Sequence, residues 1–252
     1  MKVKYWGVRG SIPTPWAEAM GVGGNTSCVE VVSERGDFII LDAGTGIRML
    51  SKARLAEDTH DHQRIHVLLT HTHWDHIQGI PFFSLLNYPG NHVTFYGRDK
   101  ADCTFEEVIR KQMDSAYFPV SLDQVQARID FVSIQEESFQ IGSVAVESVA
   151  FNHPGGVLGF RLVEDQKVLV YATDMEYTPS TLPQHLVAFA QNADVLIFDA
   201  QYTPEEHDIK SGWGHSNYEV ATQLAERAQV GKLYLFSHDP DHSDEILAEI
   251  EQ

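Results

Sequence analysis

Cysteine is nearly absent from this chain: Cys28 and Cys103 are the two thiols among 252 residues, too few for the disulfide framework of small secreted scaffolds. Basic residues are also scarce, with 18 lysines and arginines against 36 acids and a formal charge of -18. Proteins that grip long nucleic acid usually present a basic face that displaces counterions from phosphates. A large RNA is therefore a disfavoured partner, whereas a small phosphate ester is not, because bound cations reverse the field locally. No apolar run reaches the length of a membrane span. Ser/Pro-rich linkers, low-complexity tracts and internal repeats are missing too. The opening Met1-Lys2-Val3-Lys4-Tyr5-Trp6 is broken by charge too early for a secretory signal. These absences lead to the expectation of one domain over residues 1–252, with a sizeable core, no membrane partner and a reducing cytoplasm around it.

Histidine, by contrast, is plentiful, and its distribution is uneven. The segment His71-Thr72-His73-Trp74-Asp75-His76 follows the apolar run Val67-Leu68-Leu69. Three imidazoles and a carboxylate in so short a stretch are the donors that borderline-soft divalent metals prefer. An extended strand end can aim His71 and His73 at one ion while a tight loop turns Asp75 and His76 toward a neighbour. The remaining histidines, His60, His62, His66, His92, His185, His207 and His242, read as ordinary surface or core residues, with His60 and His62 in a polar turn.

Alternating or buried apolar runs predict strands near Val3 to Val8, Cys28 to Val32, Phe38 to Leu41, Ile65 to Leu69, Val93 to Tyr96, Ile129 to Val132, Val144 to Ala150, Leu158 to Leu162, Val168 to Tyr171, Val195 to Phe198 and Leu233 to Phe236. Helical spacing appears near Gly46 to Ala53, Phe105 to Lys111, Leu182 to Ala190, Tyr218 to Ala228 and Asp244 to Ile250. Layered α/β packing suits this alternation, and periodicity alone does not separate one layered arrangement from another.

His71-x-His73-x-Asp75-His76 resembles the signature of the metallo-β-lactamase-fold hydrolases, and the order of later motifs resembles that superfamily along nearly the whole chain. The resemblance implies a four-layered αββα sandwich of two mixed β-sheets flanked by helices. It also implies a dinuclear metal site, with His71, His73 and His153 on one ion, Asp75, His76 and His238 on the other, and Asp174 between them. Zinc is the first expectation from five histidines and two aspartates, and the same nitrogen and oxygen donors take manganese or iron.

Tyr5-Trp6-Gly7-Val8-Arg9-Gly10-Ser11-Ile12-Pro13, Gly23-Gly24-Asn25-Thr26-Ser27-Cys28 and Leu41-Asp42-Ala43-Gly44-Thr45-Gly46 resemble the opening of a branch allied to ribonuclease Z and bacterial cyclic-nucleotide phosphodiesterases. Gly23-Gly24-Asn25 suits a loop needing positive φ, and Asp42 to Gly46 a strand-to-helix turn passing close to the metals. A carboxylate at Asp42 could also hold the free ring N–H of a ligating histidine. Gly214-His215-Ser216 resembles the segment that gives ribonuclease Z-like phosphodiesterases a non-ligand histidine. Asp199, in Phe198-Asp199-Ala200-Gln201, stands where ribonuclease Z usually has glutamate, and would orient and charge His215. Ser216 is an expected N-cap of the helix that follows.

The chemistry implied is attack on phosphorus by a metal-bridging hydroxide positioned by Asp75 and Asp174, with His215 answering at the leaving group or the phosphoryl oxygens. Arg98, Lys100, Arg110, Lys111 and Arg128 sit among acids and do not resemble the glycine- and lysine-rich arm with which ribonuclease Z grips transfer RNA. A 3′,5′-cyclic nucleotide or other small phosphodiester is therefore the expected substrate. The alternatives are a ribonuclease Z-like transfer RNA 3′ endonuclease and a thioesterase or lactonase. Trp16, Tyr117, Tyr202 and Trp213 are candidates for stacking a base, against an ordinary packing role. A redox di-iron role is disfavoured because that branch usually shows His-x-Glu-x-Asp, and a non-catalytic metal module because the ligand set is complete. The sequence leaves open the native metal and the oligomeric state, a homodimer included.

Overall fold

A computed structural model describes residues 1–57 and 63–251; His60 and His62 lie outside the described residues. The chain divides into two compact units, Met1–Gly7 with Asn25–Gln135 and Val8–Gly24 with Glu136–Gln252.

The first unit contains β1 (Lys2–Gly7), β2 (Cys28–Val32), β3 (Phe38–Leu41), α1 (Gly46–Ala56), β4 (Arg64–Leu68), α2 (Trp74–Ile77), β5 (His92–Gly97), α3 (Phe105–Gln112) and β6 (Arg128–Ser133). Its six strands lie in chain order, β1 to β3 antiparallel and β3 to β6 parallel. All of β3 is buried, as the unbroken Phe-Ile-Ile-Leu run leads one to expect of a strand covered on both faces. Ile47 and Leu50 of α1 and Phe105 and Ile109 of α3 join Ile40, Val67 and Phe95 in one core. Each such side chain is worth about 1.5–3 kcal/mol relative to exposure. Helix α3 starts on a capping box between Thr104 and Glu107, which satisfies two otherwise orphaned N–H groups.

The second unit contains β7 (Glu137–Ile141), β8 (Val144–Phe151), β9 (Val157–Glu164), β10 (Lys167–Ala172), α4 (Gln184–Ala190), β11 (Val195–Asp199), α5 (Pro204–Ile209), α6 (Tyr218–Arg227), β12 (Leu233–Phe236) and α7 (Asp244–Ile250). Strands β7 to β10 are antiparallel neighbours and β10 to β12 are parallel. The β9–β10 hairpin turns on Asp165 and Gln166, both at positive φ (47° and 67°), the backbone that a tight two-residue turn requires. Leu186 and Phe189 of α4 and Val220 and Leu224 of α6 pack with Val170, Leu196 and Phe198.

The expected strands and long helices all form, with ends shifted by a residue or a few. Three short elements escaped the sequence reading. Strand β7 has only Phe139 and Ile141 as apolar residues and lies at a sheet edge, where one-sided burial leaves little pattern. Helix α2 is four residues long, too short for helical periodicity. Helix α5 is six residues long and mostly polar in sequence, yet its N-cap Thr203 and its third residue Glu206 form a capping box, a signal the sequence does carry. Helix α4 begins at Gln184 because Pro183 is its N-cap, and the residue before a proline is pushed out of the helical region.

Candidate active site

In the first unit the candidate residues follow the C-terminal ends of parallel strands, where open α/β sheets gather ligands. Asp42 comes directly after β3 and His71 three residues after β4. Asp42 adopts a left-handed backbone, φ 58°, a strained state for a non-glycine residue. Its fully buried carboxylate accepts from the Thr70 N–H at 2.8 Å, from the Thr70 hydroxyl at 2.9 Å and from His76 Nδ1 at 2.7 Å. The Thr70 hydroxyl in turn meets His71 Nδ1 at 3.1 Å. Because a carboxylate only accepts, the Thr70 proton points to Asp42, and both histidines carry their proton on Nδ1. Each Nε2 then presents its lone pair. The His71 ring lies 4.4 Å from that of His73 and 4.3 Å from that of His76, and His76 Nε2 is 3.3 Å from Asp75 Oδ2. Gly44 packs against the Asp75 and Ser27 carbonyls too closely for any Cβ, so the turn after β3 presses on the histidine loop.

The second unit repeats the device with other partners. His153 follows β8, and its Nδ1 donates to the Gly214 carbonyl at 2.8 Å, again leaving Nε2 with the lone pair. Burial lowers the His153 pKa against the opposing pull of Asp174, and a neutral ring is the form that binds metal. Asp174, two residues beyond β10, has φ 54°. Its N–H donates to Asp199 Oδ2 at 2.9 Å, and Thr173 donates its hydroxyl to the Asp174 carboxylate. Asp199 ends β11 and is completely buried. It accepts from His215 Nδ1 at 2.7 Å and from the Ser216 N–H at 2.9 Å. Burial raises the Asp199 pKa, and the charge and hydrogen bond of His215 oppose the rise. The possible ligand atoms of Asp174, Asp199 and His215 all fall within 4.8 Å of one another.

His238 lies just beyond β12, and residues Val8 to Gly10 pair with its backbone: its N–H donates to the Val8 carbonyl at 3.0 Å and its carbonyl accepts from Gly10 at 2.9 Å. Arg9, fully buried, donates to the carbonyls of Gly23, Asp239 and His242 at 3.0, 3.3 and 2.6 Å. Burial of the His238 ring, aided by the charge of Arg9, lowers its pKa.

Residues 38–238, about four fifths of the chain, match the family described as the beta-lactamase superfamily domain. The chain belongs to the β-lactamase superfamily. Its two mixed sheets with flanking helices are the metallo-β-lactamase fold, in the ribonuclease Z-like branch, and it is a metal-dependent hydrolase. A ribonuclease Z of Thermoplasma acidophilum is 21% identical, covering 97% of this chain and 88% of that relative. The metallo-β-lactamase fold protein YhfI of Bacillus subtilis superposes with a TM-score of 0.72 at 20% identity, over 98% of this chain and 90% of that one. The short form of human tRNase Z gives 0.66 at 22%, over 95% and 93%.

Divalent metal ions are implied by the superfamily, and the donors suit them: three histidines are held as the Nδ1–H tautomer by a carboxylate, a hydroxyl and a carbonyl, the arrangement that aims a ligating Nε2.

Several supports went unnoticed in the sequence. Thr70 relays Asp42 to His71. Glu176 accepts from the Gly212 and Gly214 N–H groups at 2.6 and 2.8 Å, clamping the loop before His215. Arg9, inside the N-terminal motif of residues 5–13, ties Gly23, Asp239 and His242 together through their carbonyls. Positive φ near the site falls on Asp42, Asp174 and Ser237 as well as on Gly23 and Gly214. A Cβ on Gly214 would run into the His153 ring.

Two expectations are corrected. Ser216 is not the N-cap of α6; Asn217 is, accepting from the Val220 N–H at 3.0 Å, while Ser216 donates to the Met175 carbonyl at 2.6 Å. Tyr202 does not stand open for stacking: it is buried, with its ring 5.7 Å from and edge-on to His215, whereas Trp16, Tyr117 and Trp213 are exposed. Arg110 pairs with Glu106 and Asp123, and Arg128 with Asp130.

Proposed function

We propose that the chain is a dinuclear metal-dependent phosphodiesterase acting on a small phosphodiester, a 3′,5′-cyclic nucleotide being the substrate that suits it best. His71, His73 and His153 would hold one ion, Asp75, His76 and His238 the second, with Asp174 shared. Bound there, two divalent ions would supply a water activated near neutral pH and charge neutralisation at the phosphoryl oxygens. Asp75 and Asp174 orient that water as hydrogen-bond acceptors. His215 acts from its Nε2: with Nδ1 committed to Asp199, the ring takes up a proton at Nε2 and gives it to the departing alkoxide. No side chain serves as nucleophile.

The observation that carries this reading is the buried Asp199–His215 pair, because a held, chargeable imidazole answers the need of a poor alkoxide leaving group. Thioesters, whose thiolate departs readily, need it least. The charge of -18 favours a small substrate over a long RNA. A nuclease reading draws its support from the relatives named ribonuclease Z and ribonuclease BN.

The deciding experiment is a panel with zinc or manganese: cyclic nucleotides, bis(p-nitrophenyl) phosphate, precursor transfer RNA, a thioester and a lactone. Cyclic nucleotides are expected to give the highest kcat/KM. A thioester or lactone turned over faster than every phosphodiester would reverse the assignment, and accurate 3′ trimming of the RNA would move it to the nuclease reading.

A further inference from the structure

His153 is held from two sides, and both lead to Glu176. On the chain side, the Glu176 N–H donates to the carbonyl of Asn152, the residue before His153, at 3.0 Å, and the Asn152 carboxamide donates to the Glu176 carbonyl at 3.1 Å. On the ring side, His153 Nδ1 donates to the Gly214 carbonyl at 2.8 Å, and the Gly214 N–H donates to Glu176 Oε2, also at 2.8 Å. The other carboxylate oxygen accepts from the Gly212 N–H at 2.6 Å. These bonds close a circuit from Glu176 through Gly214 and the His153 ring back to Asn152.

The backbone explains why a carboxylate is needed there. Gly212 and Gly214 have φ of 90° and 94°, and glycine moves between positive and negative φ at little cost, so this turn has little stiffness of its own. Charge-assisted hydrogen bonds from two N–H groups to one carboxylate supply it. Glu176 fixes Gly214 from its N–H side, and the Ser216 N–H, donating to Asp199 at 2.9 Å, fixes the chain beyond it. Between these anchors the Gly214 carbonyl has one direction, toward His153 Nδ1.

We propose that Glu176 is a positioning residue for His153: through the Gly214 peptide it keeps the imidazole proton on Nδ1 and aims Nε2 at the metal position. The inference rests on His153 being a ligand and goes beyond it, because it assigns the setting of the ring to a carboxylate outside the proposed ligand set, acting one peptide further out than the group that holds the ring.

The test needs no substrate. In metal-free protein carrying isotope-labelled histidine, long-range proton–nitrogen correlation reads the tautomer of each ring, and the His153 signal is identified by its loss in His153→Gln. The parent should show His153 as the Nδ1–H form. Glu176→Ala should convert it to a mixture of tautomers, while His71 and His76, held by Thr70 and Asp42, keep theirs. Competition with a chelator should show zinc bound roughly 10-fold or more weakly, and the d–d bands of the cobalt-loaded variant should shift. Glu176→Gln keeps the shape and one acceptor, so it should fall between the parent and Glu176→Ala, and it carries the test if the alanine variant does not fold. An unchanged His153 tautomer with parental zinc affinity would overturn the proposal, whatever happens to Tm, and so would a tautomer change spread over all three histidines. A changed His153 tautomer with parental zinc affinity would support the hold on the ring and reject His153 as a ligand, which keeps the two failures apart.

Discussion

At the scale of single residues, the proposed chemistry depends on which ring nitrogen of each histidine keeps its proton. Asp42, Thr70 and the Gly214 carbonyl decide this for His76, His71 and His153, and Asp199 decides it for His215. If His215 gives its proton to the leaving group, His215→Ala should keep its metal content and lose roughly 10²–10⁴-fold in kcat on a poor leaving group. The loss should be much smaller with p-nitrophenolate, and Asp199→Asn should follow in milder form. Equal losses on both leaving groups would point instead to stabilisation of the phosphoryl oxygens. A second residue, His66, bears on stability. Burial lowers its pKa, and its Nδ1 meets the Tyr96 hydroxyl at 3.0 Å. Its folded pKa lies below the unfolded value of about 6.5, so between the two the unfolded chain binds more protons. The contribution of neutral His66 is thus complete above that pH and falls as pH drops toward the folded pKa. Denaturant titrations at pH values of about 7.5 and 5.5 should show His66→Gln losing less stability on acidification than the parent; equal losses would exclude the effect.

At the scale of elements, strand ends and helix starts carry the site. Asp42, Asp174 and Ser237 each take positive φ within two residues of a parallel strand's end, where the chain must turn sharply to present a side chain. The start of α6 is the second device. Asn217 caps it and also touches His207 at 3.1 Å, which holds the preceding His215 and Ser216 in place. Asn217→Ala should cost about 1 kcal/mol, seen as a lower denaturation midpoint at unchanged m-value. It should also lower kcat, since the loop from Gly212 to Ser216 would then be anchored chiefly by Glu176 and Asp199. A stability loss with kcat untouched would confine Asn217 to capping.

At the scale of the whole molecule, the proposed ligands come from segments far apart in sequence, His71 to His76, His153, Asp174 and His238. Ions that bind the folded chain and not the unfolded one stabilise it by mass action. The purified protein should therefore carry roughly two transition-metal ions per chain, and chelation should lower its Tm and abolish hydrolysis, with readdition restoring both. His73→Ala and Asp174→Ala should each reduce metal content along with activity. A chelator-treated protein with unchanged Tm and rate would defeat the assignment. Among the described residues no helix is long and apolar enough to cross a membrane.

Much of this was legible from residue order. Eleven of the twelve strands among the described residues owe their visibility to apolar runs or alternation, and His-x-His-x-Asp-His stands out by its density of donors, because both are local patterns carried by neighbouring positions. Edge strand β7 and the short helices α2 and α5 were not, since half-exposed or few-residue elements impress little period on sequence. Lys2–Gly7, although strongly charged, still showed enough alternation to be read as β1. What only the tertiary structure decided is the company each functional residue keeps. Asp42 meets His76 across 34 positions, Asp199 meets His215 across 16, and the Gly214 carbonyl meets His153 across 61. Arg9 spans 233 positions to reach the His242 carbonyl. Those hydrogen bonds need angles and distances that strand register and loop strain set together, and a one-dimensional pattern records residue types and spacing but not the direction in which a buried donor points.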